Sequence, residues 1–261
     1  MDLQIEGRVA LVLAGGGGLG GAIARALAAE GARVAVSDVS EEALKGTLDD
    51  IAAKGGTAFG IAADLGDLAA MEAMVEAVTA KFGRIDILVN NSGGPPPTTA
   101  AGVDAAQWTK YFQSMVLSLI HVTDLVLPGM VAAGWGRIIT STSSGVIAPI
   151  PSLGISNTLR SSLLGWSKTL AREVAARGVT VNVVLPGRIA TDRIRRLDEA
   201  RASRDGLSVD TVEAQSTASI PTGRYGDPQE YADVVTFLAS ARASYVTGSV
   251  IRVDGGLIQS I

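Results

Sequence analysis

The chain has 261 residues, of which 47% are hydrophobic and 18% are charged, and this composition is sufficient to bury a sizeable core. A formal net charge of −4 and a low aromatic content of 4% argue against a surface for nucleic acid. Because there is no cysteine and only one histidine, disulfides and thiolate chemistry are excluded and no metal site is expected.

No linker, low-complexity tract or internal repeat divides the sequence, so we expect a single domain over residues 1–261. Residues 9–24 are uncharged but rich in glycine, and they are far too few to span a bilayer. The N-terminus lacks a charged segment followed by an apolar one, which is the pattern of a secretory signal. We therefore expect a cytoplasmic protein that does not enter a membrane.

Short apolar runs alternate with amphipathic helices along the whole chain. The predicted strands cover residues 9–13, 33–37, 57–63, 85–89, 137–141, 179–185 and 249–253. The predicted helices cover residues 19–30, 68–81, 105–133, 153–177 and 228–239, with one more helix beginning after the N-cap Ser40. Residues 188–224 are predicted to be irregular and partly helical. Strands alternating with helices indicate a parallel sheet that binds ligands at the carboxyl ends of its strands.

A glycine-rich turn separates the first predicted strand from the first predicted helix. It consists of Ala14, Gly15, Gly16, Gly17, Gly18, Leu19 and Gly20. Glycines lack a Cβ atom, so the backbone can approach a pyrophosphate closely, and the following helix presents free N–H groups to it. The position of this turn therefore predicts a dinucleotide site.

Two aspartates follow neighbouring predicted strands. Asp38 ends the second strand, and a carboxylate there can accept both hydroxyls of an adenosine ribose while repelling a 2′-phosphate. Capping of the next helix is the less favoured role, because Ser40 already fills it. The expected cofactor is therefore NAD(H). For Asp64, after the third strand, ligand contact and a plain turn are equally compatible with the spacing.

At this point the sequence resembles the short-chain dehydrogenase/reductase family over almost its whole length. The resemblance rests on the glycine-rich turn and on Asn90-Asn91-Ser92-Gly93, Pro186-Gly187, Tyr245-Val246-Thr247-Gly248 and Asp254-Gly255-Gly256. It implies a Rossmann-like, doubly wound three-layer α/β/α sandwich with a seven-stranded parallel sheet and a nicotinamide cofactor.

The resemblance also assigns residues to parts of the cofactor. Asp64 and Leu65 would flank the adenine, and Asn90, Ser92 and Gly93 would line the cofactor. The nicotinamide end would be held by Pro186, Gly187, Ile189 and Thr191. Residues 188–224 would cover the substrate pocket.

The catalytic positions depart from the family pattern. Ser143 matches the family's serine, but thirteen residues later Tyr-x-x-x-Lys is replaced by Ser156-Asn157-Thr158-Leu159-Arg160. Met115 stands where the supporting asparagine is usual, and Leu13-Ala14 replaces Thr-Gly at the start of the turn. A serine hydroxyl is a much weaker acid than tyrosine, and Arg160 cannot relay a proton. Arg160 can still hold the ribose hydroxyls and stabilise negative charge.

Three functions remain compatible with these residues. The favoured one is an NAD(H)-dependent oxidoreductase resembling 3-oxoacyl reductases, with a site of Ser143, Ser156 and Arg160 acting on a small molecule that carries a carbonyl or secondary alcohol. The second is a cofactor-binding sensor or scaffold without turnover. The third is a dehalogenase or lyase; halohydrin dehalogenases resemble this family and use arginine in place of lysine, but they keep the tyrosine and lose the dinucleotide site.

Two further features concern surfaces. Arg193, Arg195 and Arg196 form a short basic cluster, which we interpret as a solvated helix face rather than a contact for an acidic substrate. The two longest predicted helices are apolar around much of their circumference, and the family resemblance implies that they pair across a twofold axis. We therefore expect a homo-oligomer, a tetramer or a dimer.

Overall fold

A computed structural model describes residues 1–261 and contains one seven-stranded, fully parallel sheet. The strands are β1 (Val9–Val12), β2 (Arg33–Asp38), β3 (Thr57–Ala62), β4 (Ile87–Asn90), β5 (Gly136–Ser141), β6 (Val179–Pro186) and β7 (Val250–Val253). Their order across the sheet is β3-β2-β1-β4-β5-β6-β7, so the chain reverses its winding direction between β1 and β4. The predicted doubly wound α/β fold is confirmed.

The helices cover both faces of this sheet. They are α1 (Gly18–Ala29), α2 (Glu41–Ala53), α3 (Leu68–Phe82), α4 (Ala105–Phe112), α5 (Ser118–Ala133), α6 (Gly154–Val174), α7 (Asp192–Asp205), α8 (Val209–Ala218) and α9 (Pro228–Leu238). Alternate residues of β1 enter different cores, since Ala10 and Val12 face α1, α2 and α9 while Leu11 faces α3, α5 and α6. Such continuous apolar strands are expected where both faces of a parallel sheet are buried.

The continuous helix predicted over residues 105–133 is wrong in one respect. The chain makes a π-helical turn at Gln113–Leu117, which separates α4 from α5. Residues Ala105–Ala133 together are long and apolar enough to cross a membrane by length and composition, yet 44% of that apolar window is buried within the chain. Leu119, Val122 and Met130 of α5 lie in the core, as in the packed helix of a globular protein.

The segment at residues 188–224 is partly helical, as its sequence predicted. It contains the two helices α7 and α8, whose N-caps are the side chains of Thr191 and Ser208. Asp198 of α7 is buried and accepts hydrogen bonds from Arg188 and Tyr225 at 3.0 and 2.6 Å. These two hydrogen bonds join α7 to the segment before it and to the segment after α8. They hold the helix over the carboxyl edge of the sheet.

Candidate active site

The glycine-rich turn joins β1 to α1 and leaves the N-terminus of α1 open. The N-cap Gly17 offers no side-chain hydrogen bond, and no acidic residue lies in the first turn. A Cβ atom at Gly17 would meet nothing within 4 Å, so the concave side of the turn is free. Uncapped N–H groups and an open backbone surface are what a pyrophosphate requires.

Ala14 begins this turn in a left-handed conformation, with φ of 47°. A residue with a side chain pays roughly 1–2 kcal/mol for that conformation, which glycine, usual here in the family, avoids. The Ala14 carbonyl accepts a hydrogen bond from Asn91 Nδ2 at 3.1 Å, so the end of β4 holds the turn in place. The added methyl group of Ala14 is thus accommodated at some cost in strain.

Asp38 lies at the end of β2 and faces the glycine-rich turn. One carboxylate oxygen accepts from the backbone N–H of Gly16 and the other from that of Ser40, each at 3.0 Å. Ser40 Oγ meanwhile accepts from Ala43 N at 3.2 Å, so the predicted N-cap of α2 is present. Each carboxylate oxygen has two acceptor sites, so Asp38 keeps capacity for ribose hydroxyls at the same edge.

Asp64 and Leu65 follow β3 along the same edge. The Asp64 carboxylate accepts from Gly66 N at 2.8 Å, so a turn-forming role is present in the structure. Leu65 is half-buried and packs against the core that contains α3, α5 and α6. Contact of both residues with the adenine stays a prediction.

The end of β4 carries polar atoms that lack partners within the protein. Asn90 Nδ2 donates to Thr123 Oγ1 at 3.0 Å, but Asn90 Oδ1 is buried without a hydrogen bond. Ser92 Oγ is likewise buried and unpartnered. Buried polar groups are normally satisfied, so these atoms, the open α1 terminus and the Asp38 carboxylate together fit a bound dinucleotide.

Pro186 and Gly187 continue the edge at the end of β6. Gly187 N donates to Val253 O at 2.9 Å, and a Cβ atom at Gly187 would lie only 2.6 Å from the Cα of Asp254. The close contact between the segments that follow β6 and β7 therefore requires glycine at position 187. Ile189, two residues after Gly187, is buried. The methyl group of Thr191 would lie 3.8 Å from a Cβ atom placed on Gly18. The glycine-rich turn and the segment expected to hold the nicotinamide end thus lie close together at this edge.

Ser143 and Ser156 lie on adjoining segments. Ser143 Oγ accepts from Gly145 N at 3.1 Å, and a Cβ atom on Gly145 would lie 2.4 Å from Asn157 Oδ1. Ser156 is 5% exposed and its hydroxyl has no hydrogen-bond partner in the chain. The loop after β5 and the first turn of α6 therefore form one wall of the site.

Asn157 fastens that wall, a role the sequence did not reveal. Its Nδ2 donates to Ile150 O at 2.9 Å and its Oδ1 accepts from Ile150 N at 3.4 Å. Thr98 fixes the start of α6 in a similar way, because its Oγ1 accepts from Ile155 N at 3.2 Å. Only the position of Asn157 beside Ser156 hints at this in the sequence.

Arg160 lies one turn after Ser156 on the same face of α6. It is 7% exposed, and its Nη2 donates to the carbonyl oxygens of Ser92 and Gly93 at 3.1 and 2.9 Å. Burial, reinforced by the charge of Arg193, lowers its pKa to about 10, so it remains a cation at neutral pH. Its Nε and Nη1 donate to no group of the chain and remain free for a ligand.

Arg193 was predicted to face solvent with its neighbours, and this is wrong. It turns inward from α7 and donates to Gly94 O at 3.2 Å and to Pro95 O at 3.0 Å. Burial and the nearby Arg196 lower its pKa, whereas the Tyr111 hydroxyl raises it. Arg195 and Arg196 are exposed, as predicted. The direction of one side chain on a helix depends on what that helix covers, which the charge pattern did not contain.

Comparison with known proteins agrees with this arrangement. A family model described as enoyl-(acyl carrier protein) reductase matches residues 13–258. The 3-oxoacyl-[acyl-carrier-protein] reductase FabG of Salmonella typhimurium is 37% identical over 257 residues, with 98% of this chain and 99% of that protein covered.

The chain belongs to the short-chain dehydrogenase/reductase family.

Solved structures of this family superpose closely on the protein. L-sorbose reductase from Gluconobacter frateurii, complexed with NADPH and L-sorbose, has a TM-score of 0.94 at 31% identity, with both chains fully covered. YwfH, an NADPH-dependent reductase involved in bacilysin biosynthesis, has a TM-score of 0.92 at 28% identity, covering 97% of this chain and 99% of that one. The protein is therefore an oxidoreductase of the short-chain dehydrogenase/reductase type with a site for a nicotinamide dinucleotide.

The family position of the supporting asparagine is occupied by Met115, which is 2% exposed within the π-helical turn. Its thioether packs in the core with α3, α5 and α6 and supplies no strong donor to the site. Tyr111 is half-buried on α4 and raises the pKa of Arg193. Tyr231 is 0% exposed and donates to Val184 O or bonds Ser141, within the core.

Proposed function

We propose that the protein is an NAD(H)-dependent oxidoreductase that interconverts a carbonyl and a secondary alcohol at a site of Ser143, Ser156 and Arg160. The observation that supports NAD(H) is the Asp38 carboxylate, which lies against Gly16 where an adenosine ribose would be held. The flanking positions Gly17, Val39 and Ser40 offer no cation to a 2′-phosphate. The two solved relatives described above are a complex with NADPH and an NADPH-dependent reductase. A preference for NADH would therefore distinguish this protein from them.

Each residue of the chain has a definable task in this reaction. The dinucleotide, when bound, supplies or accepts the hydride. The Ser143 hydroxyl, at the end of β5, is placed to donate to the substrate's carbonyl oxygen. Arg160 contributes a fixed positive charge that stabilises developing negative charge on that oxygen. Ser156, which is 5% exposed beside Ser143, can orient a water molecule that carries the proton.

Because Ser156 replaces the family's tyrosine, we expect a low rate of reaction. A positioned general acid raises the reaction rate roughly 10²–10⁴-fold. A water molecule oriented by a serine hydroxyl replaces only part of that acceleration. Since typical enzymes turn over near ~10 s⁻¹, we expect much slower reduction of ordinary ketones. The deficit should affect the chemical step rather than cofactor affinity.

The vacated tyrosine position also favours a second candidate function, in which the protein binds NAD(H) as a sensor or scaffold without turnover. A dehalogenase-like function gains no support, because the glycine-rich turn and Asp38 are retained. We also expect a cytoplasmic location and an oligomeric assembly, as the sequence suggested.

The test begins with calorimetric titration of NADH and NADPH into the wild-type protein and into Asp38→Asn. We expect NADH to bind at least tenfold more tightly to the wild type and the preference to shrink in the variant. Asp49→Asn removes an exposed carboxylate from α2 and should leave the preference unchanged. Equal or tighter NADPH binding by the wild type would refute the role of Asp38.

Oxidation of NADH with a panel of carbonyl compounds then separates the two candidates. Slow turnover that Ser156→Ala and Ser143→Ala reduce further supports the oxidoreductase. Tight NADH binding with no oxidation on any compound supports the sensor. Rapid turnover that Ser156→Ala leaves unimpaired would mean that another acid delivers the proton, with Tyr111 the first candidate.

A further inference from the structure

Two arginines hold one short loop of the active site between them. Arg160 from α6 and Arg193 from α7 donate to the four consecutive carbonyl oxygens of residues 92–95, at distances between 2.9 and 3.2 Å. The loop follows β4, where Ser92 and Gly93 are expected to line the cofactor, and Arg193 lies two residues after Thr191 at the expected nicotinamide end. Both positive charges are therefore fixed at the reacting end of the site.

Neither charge has a negative partner in the chain. Arg188 and Arg195, which flank this region, pair with Asp198 and Asp192, but no carboxylate lies within 4.0 Å of Arg160 or Arg193. The charge of Arg193 lowers the pKa of Arg160, and it is the largest cause of that shift after burial. An uncompensated buried charge is unfavourable, and an anion bound beside it relieves that cost.

Hydrogen-bonding capacity is also left over. A guanidinium carries five N–H donors, and each of these two arginines uses two of them on backbone carbonyls. Three donors on each remain, in the planar fork that matches carboxylate and phosphate groups. The pyrophosphate of the cofactor is provided for elsewhere, by the open N-terminus of α1.

Arg193 is the better placed of the two to contact a substrate. It lies on the first turn of α7, two residues after Thr191, which approaches the glycine-rich turn at Gly18. Tyr111 on α4 is close enough to raise the pKa of Arg193. Arg193 thus lies on the covering helix α7, close to the expected cofactor, while Arg160 lies on α6 with Ser156.

We propose that the substrate carries an oxyanion group, a carboxylate or a phosphate, near its reacting carbonyl, and that Arg193 binds this group. The inference rests on the proposed function in that it assigns a substrate class to the same site. A hydrogen bond to a charged group contributes roughly 1.5–3 kcal/mol, which corresponds to a preference of roughly ten- to hundredfold for an anionic substrate over its neutral counterpart.

The first test compares matched compounds with the wild-type protein and NADH. Acetoacetate is paired with methyl acetoacetate, and dihydroxyacetone phosphate with dihydroxyacetone. We expect kcat/KM to be at least tenfold higher for the anionic member of one pair, with an advantage that shrinks as salt is raised. Equal or better use of both neutral members would overturn the proposal.

The second test uses Arg193→Gln with Arg195→Gln as its matched control. Arg195 lies on the same turn of α7, and its side chain is 67% exposed and paired with Asp192. The anionic-to-neutral ratio should fall toward one in Arg193→Gln, mainly through KM, and stay unchanged in Arg195→Gln. A ratio retained in Arg193→Gln would contradict the assignment. Should that variant not fold, Arg193→Lys, which keeps the charge but not the fork, should give an intermediate ratio.

Calorimetry on the wild-type NADH complex separates this inference from the proposed function. Acetoacetate and inorganic phosphate are titrated as probes, and no turnover is needed. If no carbonyl compound is reduced, the oxidoreductase proposal fails, while probe binding that weakens at least tenfold in Arg193→Gln still supports the anion site. Absence of binding by both probes would overturn the anion site even if neutral carbonyls are reduced.

Discussion

Gly20 lies in the first turn of α1 and packs directly against the glycine-rich turn. A Cβ atom here would lie 2.3 Å from the Ala14 carbonyl oxygen and 2.9 Å from the Gly15 Cα. Both are backbone atoms, so no side-chain rotation can relieve the overlap. The Ala14 carbonyl is also held from the other side by Asn91 Nδ2. Gly20→Ala must therefore push the turn away from the helix.

The size of the effect follows from this geometry. Overpacking of a well-packed site costs roughly 1–3 kcal/mol, and in a chain of this size each kcal/mol lowers Tm by roughly 2–4 °C. We expect Tm to fall by roughly 2–12 °C. Because the displaced turn carries the N–H groups that would meet the pyrophosphate, we also expect NADH affinity to fall about tenfold, a loss of ~1.4 kcal/mol.

The control is Gly46→Ala, the same change at an exposed position of α2. A Cβ atom there would meet nothing within 4 Å, and replacing glycine with alanine in a helix stabilises by roughly 0.5–1 kcal/mol. Thermal unfolding followed by circular dichroism and calorimetric NADH titration measure both effects. If Gly20→Ala melts and binds NADH as the wild type does, the packing of the turn and its role in dinucleotide binding are refuted.

The fully buried Tyr231 hydroxyl bonds Ser141 Oγ at 2.8 Å, so Tyr231→Phe should cost roughly 1–3 kcal/mol in urea unfolding by leaving a buried hydroxyl unpaired. Burial raises the pKa of Tyr231 above its usual 10.0, so the neutral phenol is favoured in the folded state; wild-type stability should decline as pH rises above 10.0, and an equal decline in Tyr231→Phe would contradict this. Combining Ser156→Tyr with Arg160→Lys should raise the rate on simple ketones more than either change alone, and a larger gain from one single variant would show that the pair does not act as a unit. Sedimentation at micromolar concentration should reveal a dimer or tetramer; a monomer would contradict the predicted pairing of the two longest helical segments.

The features that depend on local sequence were predictable. The apolar runs became strands, and the residues of β1, β4 and β5 are all buried within the sheet. Asp38 ends β2 and Ser40 caps α2, as their spacing predicted. Gly178 follows the last helical turn before β6 in a left-handed conformation, with φ of 76°, which glycine adopts readily.

The features that depend on a distant partner were not predictable. Asn157 acts on Ile150 through a loop whose path the sequence does not specify. Arg193 turns inward because it donates hydrogen bonds to the carbonyls of Gly94 and Pro95, which lie 99 and 98 residues earlier in the chain. For the same reason the sequence did not predict that the positive charge of Arg193 lies at this edge of the sheet.

The π-helical turn at Gln113–Leu117 joins α4 to α5 and sets how far the side chains of α4 are rotated about the helix axis relative to those of α5. Such a turn accommodates about one extra residue, and one residue corresponds to a rotation of about 100° around the axis of an α-helix. α5 can therefore keep its apolar stripe against the sheet while α4, which buries none of its residues fully, presents a different side to the pocket. Removing one residue from the turn would swing Tyr111 about 100° around the axis, away from Arg193, without altering a single side chain of the site.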